Sequence, residues 1–476
     1  MKTIKILKTR VLLAATVLLL CASCNSWLDV SPQSEVKYDD MFSTKNGFRD
    51  QLTGIYTAMC GESLYGAHLT YGMVDAMGQQ YVWTQEAGNY YHFWRFEYSN
   101  STCESIISAV WGGMYNTIAN INILLQGINE HRGVMQDADE KIYEGECYGL
   151  RAMLHFDLLR LFGKSMAAGS GDKAIPYVES ISKQVTPLST VAEVLDKCEA
   201  DLLRASELLA DDPIRTDADA TTMQGTRAWH FNYYAVRALL ARVSLYKGDK
   251  TAALRYAREV IESGKYPWVE NNKVTTTTRE ERDGLFKSEC IFTLNNRSLK
   301  ELTEKYLREN SSNSVGNLLV TSPEVRDEIF ETTTYGFDWR SNYLFEQMDG
   351  NYYGSTKLWQ VNSETNNQQP LLRVSEMYLI AAECAPTTAE ALQYINELRH
   401  HRGFDESSDI KEEDVSGDRL DDVIGKEYRK EFIGEGQWFF YCKRKNRATM
   451  PDATVSFSRD FYVLPMPDQE KDYGGR

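Results

Sequence analysis

Apolar residues recur at steps of three and four along much of this chain. Ile107, Val110, Met114, Ile118, Ile121, Leu125 and Ile128 form one stripe, and Tyr143, Cys147, Leu150, Leu154, Leu158 and Leu161 form another. Side chains so spaced share one face of a helix, so each stretch predicts an amphipathic helix. The polar stretch between them, around Arg132 to Asp139, is short enough to predict an antiparallel pair. Further helices are predicted from Val191 to Leu209, Tyr233 to Tyr246, Thr251 to Glu262, Leu372 to Cys384 and Thr388 to His400. Glu289 to Asn295 reads as a short strand.

The join Tyr246-Lys247-Gly248-Asp249, followed by Ala252, Ala253 and Ala257, resembles the middle of a tetratricopeptide repeat, where small residues let two helices approach. The expected fold is mainly α: tetratricopeptide-like helix pairs forming a scaffold, with long loops and a few short strands. No Pro-, Gly- or Ser-rich linker interrupts the pattern, and the polar segment Asn271 to Arg282 is only long enough for a surface loop. We expect a region 24–215 and a region 216–476 packed as one compact unit behind a leader, residues 1–23.

That leader carries Lys2, Lys5, Lys8 and Arg10, then the apolar run Val11 to Leu20, then small residues up to Cys24. The order is that of a secretory signal, and the run is too short for a membrane span of about 20 residues. Leu20-Cys21-Ala22-Ser23-Cys24 resembles a bacterial lipobox, which makes Cys24 the expected lipidated N-terminus. Position minus three is Cys21 where such boxes usually hold Leu. Several acyl chains at about 0.8 kcal/mol per buried CH₂ would anchor the mature chain to a membrane.

Loss of the leader removes four basic and no acidic side chains, which takes the formal charge from −16 to −20. A surface so acidic repels phosphate backbones and argues against nucleic acid as a partner. The seven cysteines beyond Cys24 are widely scattered, with no metal-ligand spacing, and Cys147 and Cys384 sit at apolar helical positions. Asp217 and Asp219 lack the rest of a calcium loop and read as polar surface. No metal and no cofactor is expected.

Across nearly the whole mature chain, a series of short motifs resembles the SusD/RagB family. It begins with Trp27-Leu28-Asp29-Val30-Ser31-Pro32-Gln33, Phe42-Ser43-Thr44 and Gly54-Ile55-Tyr56. It continues through Trp111, Tyr115, Ile118, Asn120 and Asn122, then Glu146, Arg151-Ala152 and Asp157 to Gly163. Ala241-Arg242-Val243, Asp338-x-Arg340, and Leu372-Arg373 with Glu376 and Glu383 come next. The series ends on Arg399 and Arg402-Gly403, Glu431-Phe432, Glu435-Gly436 and Tyr462-x-Leu464-Pro465-Met466-Pro467. Arg373, Glu376 and Glu383 share a predicted helix, where charged residues can pair along one face, and they read as a structural seam. Where relatives usually place Arg and, three residues on, Asp, this chain has Trp438 and Tyr441, an aromatic pair in place of an ion pair.

The resemblance implies a surface-exposed outer-membrane lipoprotein that binds nutrients, most often glycans and in some branches peptides. It also implies delivery to a SusC-like TonB-dependent barrel, on which the protein acts as a lid. Independently, the chain has 28 Tyr and 9 Trp, and aromatics cluster in polar segments where no core periodicity calls for them. Trp83, Tyr90, Tyr91 and Trp94, flanked by Gln79, Gln80, Gln85 and Asn89, are the leading candidates for a ligand platform. Tyr81, Asp75, Tyr343 and Trp359 complete the candidate set. Sugar rings stack their C–H faces on such rings while amides and carboxylates take the hydroxyls. About half of these aromatics are expected to be ordinary core. A glycoside hydrolase, the enzymatic alternative, would need a defined carboxylate pair, and no nucleophile elbow, H-E-x-x-H or phosphate loop is present. No catalytic residue is assigned.

Overall fold

In the computed structural model, residues 38–474 are described, apart from 84, 218, 223–224, 309–317, 416–418 and 454. The leader, Cys24 and the motif from Trp27 to Gln33 therefore lie outside the described residues.

The two predicted stripes form helices Ser101–Glu130 and Asp137–Phe162, which pack on each other. Asn100 caps the first, its side chain accepting from the Thr102 N–H at 2.9 Å. The first is amphipathic as expected. The second is not: it is buried on nearly every side, and its buried residues include Glu146, Arg151, His155, Asp157 and Arg160. Its buried charged side chains are tolerated there because each meets a partner. Arg151 pairs with Asp201 at 2.7 Å, Glu146 pairs with Arg227, and Asp157 pairs with Arg160. Gly149 lets Phe231 lie directly on this helix, for a Cβ there would stand 2.3 Å from the Phe231 ring.

Helix Val191–Leu208 packs against Asp137–Phe162 and, on its other side, against Tyr233–Lys247. The repeat-like join follows. Gly248 ends the helix with φ of 88°, a left-handed stop that glycine adopts without strain, and Asp249 caps Lys250–Glu262 by accepting from the Ala252 N–H at 2.9 Å. Helices Val374–Cys384 and Thr388–His400 continue the stack. The first of them begins two residues later than its apolar pattern predicts, because Leu372 and Arg373 belong to strand Gln368–Arg373. That strand pairs antiparallel with Cys290–Asn295, the predicted strand. Three further small antiparallel sheets complete the described β-structure, one of which joins Val320–Thr321, Tyr353–Ser355 and Phe345–Gln347. One continuous apolar core runs from Phe42 to Leu464.

Within this scaffold the family-like charged residues form an enclosed seam. Glu431 receives Arg373 at 2.6 Å, Arg402 at 2.8 Å and Arg340 at 3.2 Å. Arg402 also holds Glu289 at 2.6 Å, Arg340 holds Asp338 and Glu427, and Lys357 and Arg373 share Glu435. The expected pairing along one helix does not occur. Arg373 lies in the strand, Glu376 pairs across to Arg242 at 2.6 Å, and Glu383 binds Arg444 at 2.6 Å and Lys445 at 3.3 Å. Each charge is met from another element, since the helix starts after Arg373. Trp438 and Tyr441 stack at 5.4 Å with planes 13° apart, the aromatic pair read from the sequence.

Candidate functional site

The first aromatic cluster lies between helix Met73–Met77 and the Ser101–Glu130 helix. Val82 docks on the small three-stranded sheet, its N–H donating to the Val320 carbonyl at 2.8 Å. Residues two apart on extended chain point the same way, so Tyr81 and Trp83 fall on one side of Val82, at 6.5 Å. A single turn, Tyr91–Trp94, brings residues three apart together, and Tyr91 lies 5.9 Å from Trp94. Trp83 completes the row 5.2 Å from Trp94. The Gln79 amide fixes this turn by donating to the Trp94 carbonyl at 2.8 Å.

The three rings differ in what they expose. Trp83 and Tyr91 are half-buried, and Trp94 between them is 8% exposed. Arg95 stands 6.0 Å from the Tyr91 ring, and both Arg95 and His92 bond Glu97, at 2.7 and 2.8 Å. The outer faces of Trp83 and Tyr91 are thus the part of the cluster open to a ligand, with charged groups at the rim.

Other candidates stand behind this surface. Tyr90 is 2% exposed, its hydroxyl on His68 Nδ1 at 2.8 Å and its ring 5.1 Å from Tyr306. Burial pushes the His68 imidazole down to about 4. Tyr81 is also 2% exposed and donates to Asp75 at 3.2 Å. Asp75 is fully enclosed and accepts the backbone N–H groups of Gly434 and Gly436, which ties the N-terminal part of the chain to its C-terminal part. Burial pushes its carboxyl up to about 7, against the pull of those two N–H groups. Tyr81, Tyr90 and Asp75 lie buried beneath the row; none presents a surface to a ligand in this conformation.

The second cluster reaches the first through helix Leu299–Leu307. Tyr306 contacts Tyr90 and accepts from the Asn89 amide at 3.1 Å. Glu304 and Arg308, one turn apart, instead meet Trp359: its indole N–H donates to Glu304 at 3.2 Å, and the Arg308 guanidinium lies 3.9 Å from its ring centre. Arg279 lies 4.1 Å from the same ring, and Arg282 lies 5.4 Å from the Tyr343 ring. Trp359 is therefore packed by cations. Sequence reading missed Tyr306, Arg279, Arg282 and Arg308, which carry no periodic or motif signal and meet these rings only by folding. A larger cleft, about 820 Å³, shares no residue with either cluster; its walls include the ion pairs Arg399–Glu427, Lys426–Glu331 and Arg429–Glu328.

Comparison with known proteins accounts for the scaffold. Residues 26–245 match a SusD-like family described as "Starch-binding associating with outer membrane", and residues 270–470 match the SusD family proper, SusD/RagB. SusD-like protein P2 of Formosa agariphila is 24% identical over 95% of this chain and 95% of its own length. SusD-like protein P38 of the same organism is 23% identical over 93% and 92%. Among solved structures, a putative sugar binding protein from Bacteroides vulgatus superposes with a TM-score of 0.72 at 22% identity, covering 90% of this chain and 96% of that one. A SusD superfamily protein from Bacteroides thetaiotaomicron gives 0.70 at 21%, covering 91% and 98%. Both parts of the chain match models of one family, the relatives align over almost their whole length, and the helical architecture is shared, so this chain belongs to the SusD/RagB family.

Proposed function

We propose that this protein is a non-catalytic, surface-exposed lipoprotein of the outer membrane that captures oligosaccharides on the Trp83, Trp94 and Tyr91 row and passes them to a SusC-like TonB-dependent barrel. The observation that carries the reading is the half-open pair of rings at Trp83 and Tyr91, set on a rigid floor of Tyr81, Tyr90 and Asp75. Large flat rings bind sugar faces at small entropic cost when they are already held in place. The family description, with its starch binding and outer-membrane association, supports the same reading.

No helix among the described residues is long and apolar enough to cross a membrane. A barrel partner would then have to carry the captured ligand across. Lipidation at Cys24 would hold the protein beside that barrel and raise its effective concentration there, while leaving the body free to open and close as a lid. Calorimetry of the mature protein with oligosaccharides tests capture: saturable binding without breakdown is expected, and turnover by pure protein, or selective binding of peptides, would overturn it. Extraction of the native membrane in mild detergent tests the partnership, with co-purification of a stoichiometric large β-barrel as the expected result. Cys24→Ala should abolish fatty-acid incorporation and release the protein from membranes.

A further inference from the structure

The second aromatic cluster carries an imbalance of charge that the enclosed seam does not. In the seam, Arg340, Arg373 and Arg402 are matched by Asp338, Glu289, Glu427, Glu431 and Glu435, all within ion-pair distance. Around Trp359, Arg279 and Arg308 both lie over one indole and share a single carboxylate, Glu346. Arg282 completes the group. Its terminal N–H groups donate to the carbonyls of Tyr343 at 3.2 Å and Thr276 at 2.9 Å, and no carboxylate among the described residues stands within ion-pair distance of it. Three guanidiniums thus stand around Trp359 and Tyr343 beside two carboxylates, Glu346 and Glu304, in a mature chain whose formal charge is −20.

These groups are within reach of solvent. The side chains of Arg279 and Arg308 are 28% and 20% exposed. A cavity of about 10 Å³ opens between Arg279, Arg282, Tyr343 and Trp359, room for about one water-sized group. An oxygen of a carboxylate or sulfate is of that size, and guanidinium is the side chain best shaped to bind either through paired N–H donors. Helix Leu299–Leu307 carries both Glu304, which meets Trp359, and Tyr306, which meets Asn89 and Tyr90 beneath the first aromatic row.

We propose that the cluster is an oxyanion subsite and that the glycan taken by this protein is acidic, bearing carboxylate or sulfate groups along its length. The inference rests on the reading of the aromatic row as a glycan platform, and the test keeps the two apart. Titration calorimetry of the mature protein would use oligogalacturonate as the carboxylate probe, a sulfated galactan oligosaccharide as the sulfate probe, and maltoheptaose as the neutral probe. At low salt, at least one acidic probe is expected to bind about tenfold or more tightly than maltoheptaose, with the preference shrinking as salt rises. Arg282→Gln removes no ion pair and should leave the fold intact, which its melting curve checks; together with Arg279→Gln it should reduce the preference to threefold or less, without changing neutral binding. Equal affinity for all three probes, or a preference untouched by both substitutions, would overturn the subsite and leave the platform standing. Glycan binding indifferent to Trp83→Ala and Tyr91→Ala would overturn the platform itself, and so would no glycan binding by the wild type, which would take the subsite down with it.

Discussion

The seam around Glu431 and the platform around Trp83 use residues of opposite character to opposite ends. In the seam, some of the most strongly hydrated side chains in the protein are wholly enclosed: Arg373 and Arg402 show no exposure, and Glu431 shows 1%. In the platform, large apolar rings stay half open. A buried charge whose every partner is present has nothing left to offer a ligand, and removing a partner leaves a stranded ion. A ring with one face packed and one face open is held in place and still free to bind. Burial of polar groups therefore marks scaffold here, and a binding role is proposed only for apolar rings that stay exposed.

Acid should break the seam first. Burial would raise the carboxyls of Glu146 and Glu383, but Arg227 and Arg444 beside them hold each down to about 2; Arg402 and Arg373 hold Glu431 well below the usual carboxylate range. A carboxyl whose folded value is depressed contributes stability above its unfolded value and loses it as pH falls toward the folded one. Several kcal/mol should disappear between about pH 4.5 and pH 2, since each tenfold change in a carboxyl's acidity on folding is worth about 1.4 kcal/mol. Asp75 has the opposite sign. Raised to about 7, it weakens the fold as pH climbs from about 4 to about 7. Buried His68 and His155, pushed down to about 4 and about 3, strengthen the fold as pH climbs to about 6.5, so a net loss from Asp75 should show only above about pH 6.5. Urea midpoints across pH 2 to 8 would check both slopes.

Single substitutions should separate the two regions. Arg402→Ala leaves Glu289 and Glu431 short of a partner and should cost roughly 3–5 kcal/mol in chemical denaturation. Trp83→Ala and Tyr91→Ala should leave the melting temperature nearly unchanged while weakening glycan binding by roughly 1–3 kcal/mol by calorimetry. Tyr90→Ala should behave like the seam, losing stability because the ring is core. A binding loss for Tyr90→Ala with full stability would erase the distinction.

The smallest effect sharpens the comparison inside the scaffold. Trp438 and Tyr441 are each 2% exposed and flanked by Arg429, Arg444 and Arg447. Trp438→Arg alone adds another cation there, and Tyr441→Asp alone forfeits the stack. The two together should recover about 0.5–3 kcal/mol relative to the sum of the single losses in a double-mutant cycle. Additive losses would mean that the stacked pair does not stand in for an ion pair.

Much of this fold can be read along the chain. The stripes at Ile107 to Ile128 and Tyr143 to Leu161, the stop at Gly248 and the strand ending at Asn295 rest on neighbours a few positions apart, and local backbone preference settles them. Aromatic clustering in a polar context singled out residues 81–94, where the structure gathers Trp83, Trp94 and Tyr91 into one row. It could not separate Trp83 and Tyr91, which keep open faces, from Tyr81 and Tyr90, which do not. That depends on contacts from Asp75 and from Tyr306, the latter 216 positions beyond Tyr90.

Nor could the chain alone pair its charges. Arg373 and Glu376 are close in sequence and bind different partners, Glu435 sixty-two positions away and Arg242 a hundred and thirty-four away. Asp75 ends on Gly436, 361 positions on. Secondary structure follows from interactions within a turn or two, so periodicity alone foretells it. Which ring stays open and which charge is satisfied follow from surfaces that meet only after the chain has closed on itself, and no local pattern encodes them.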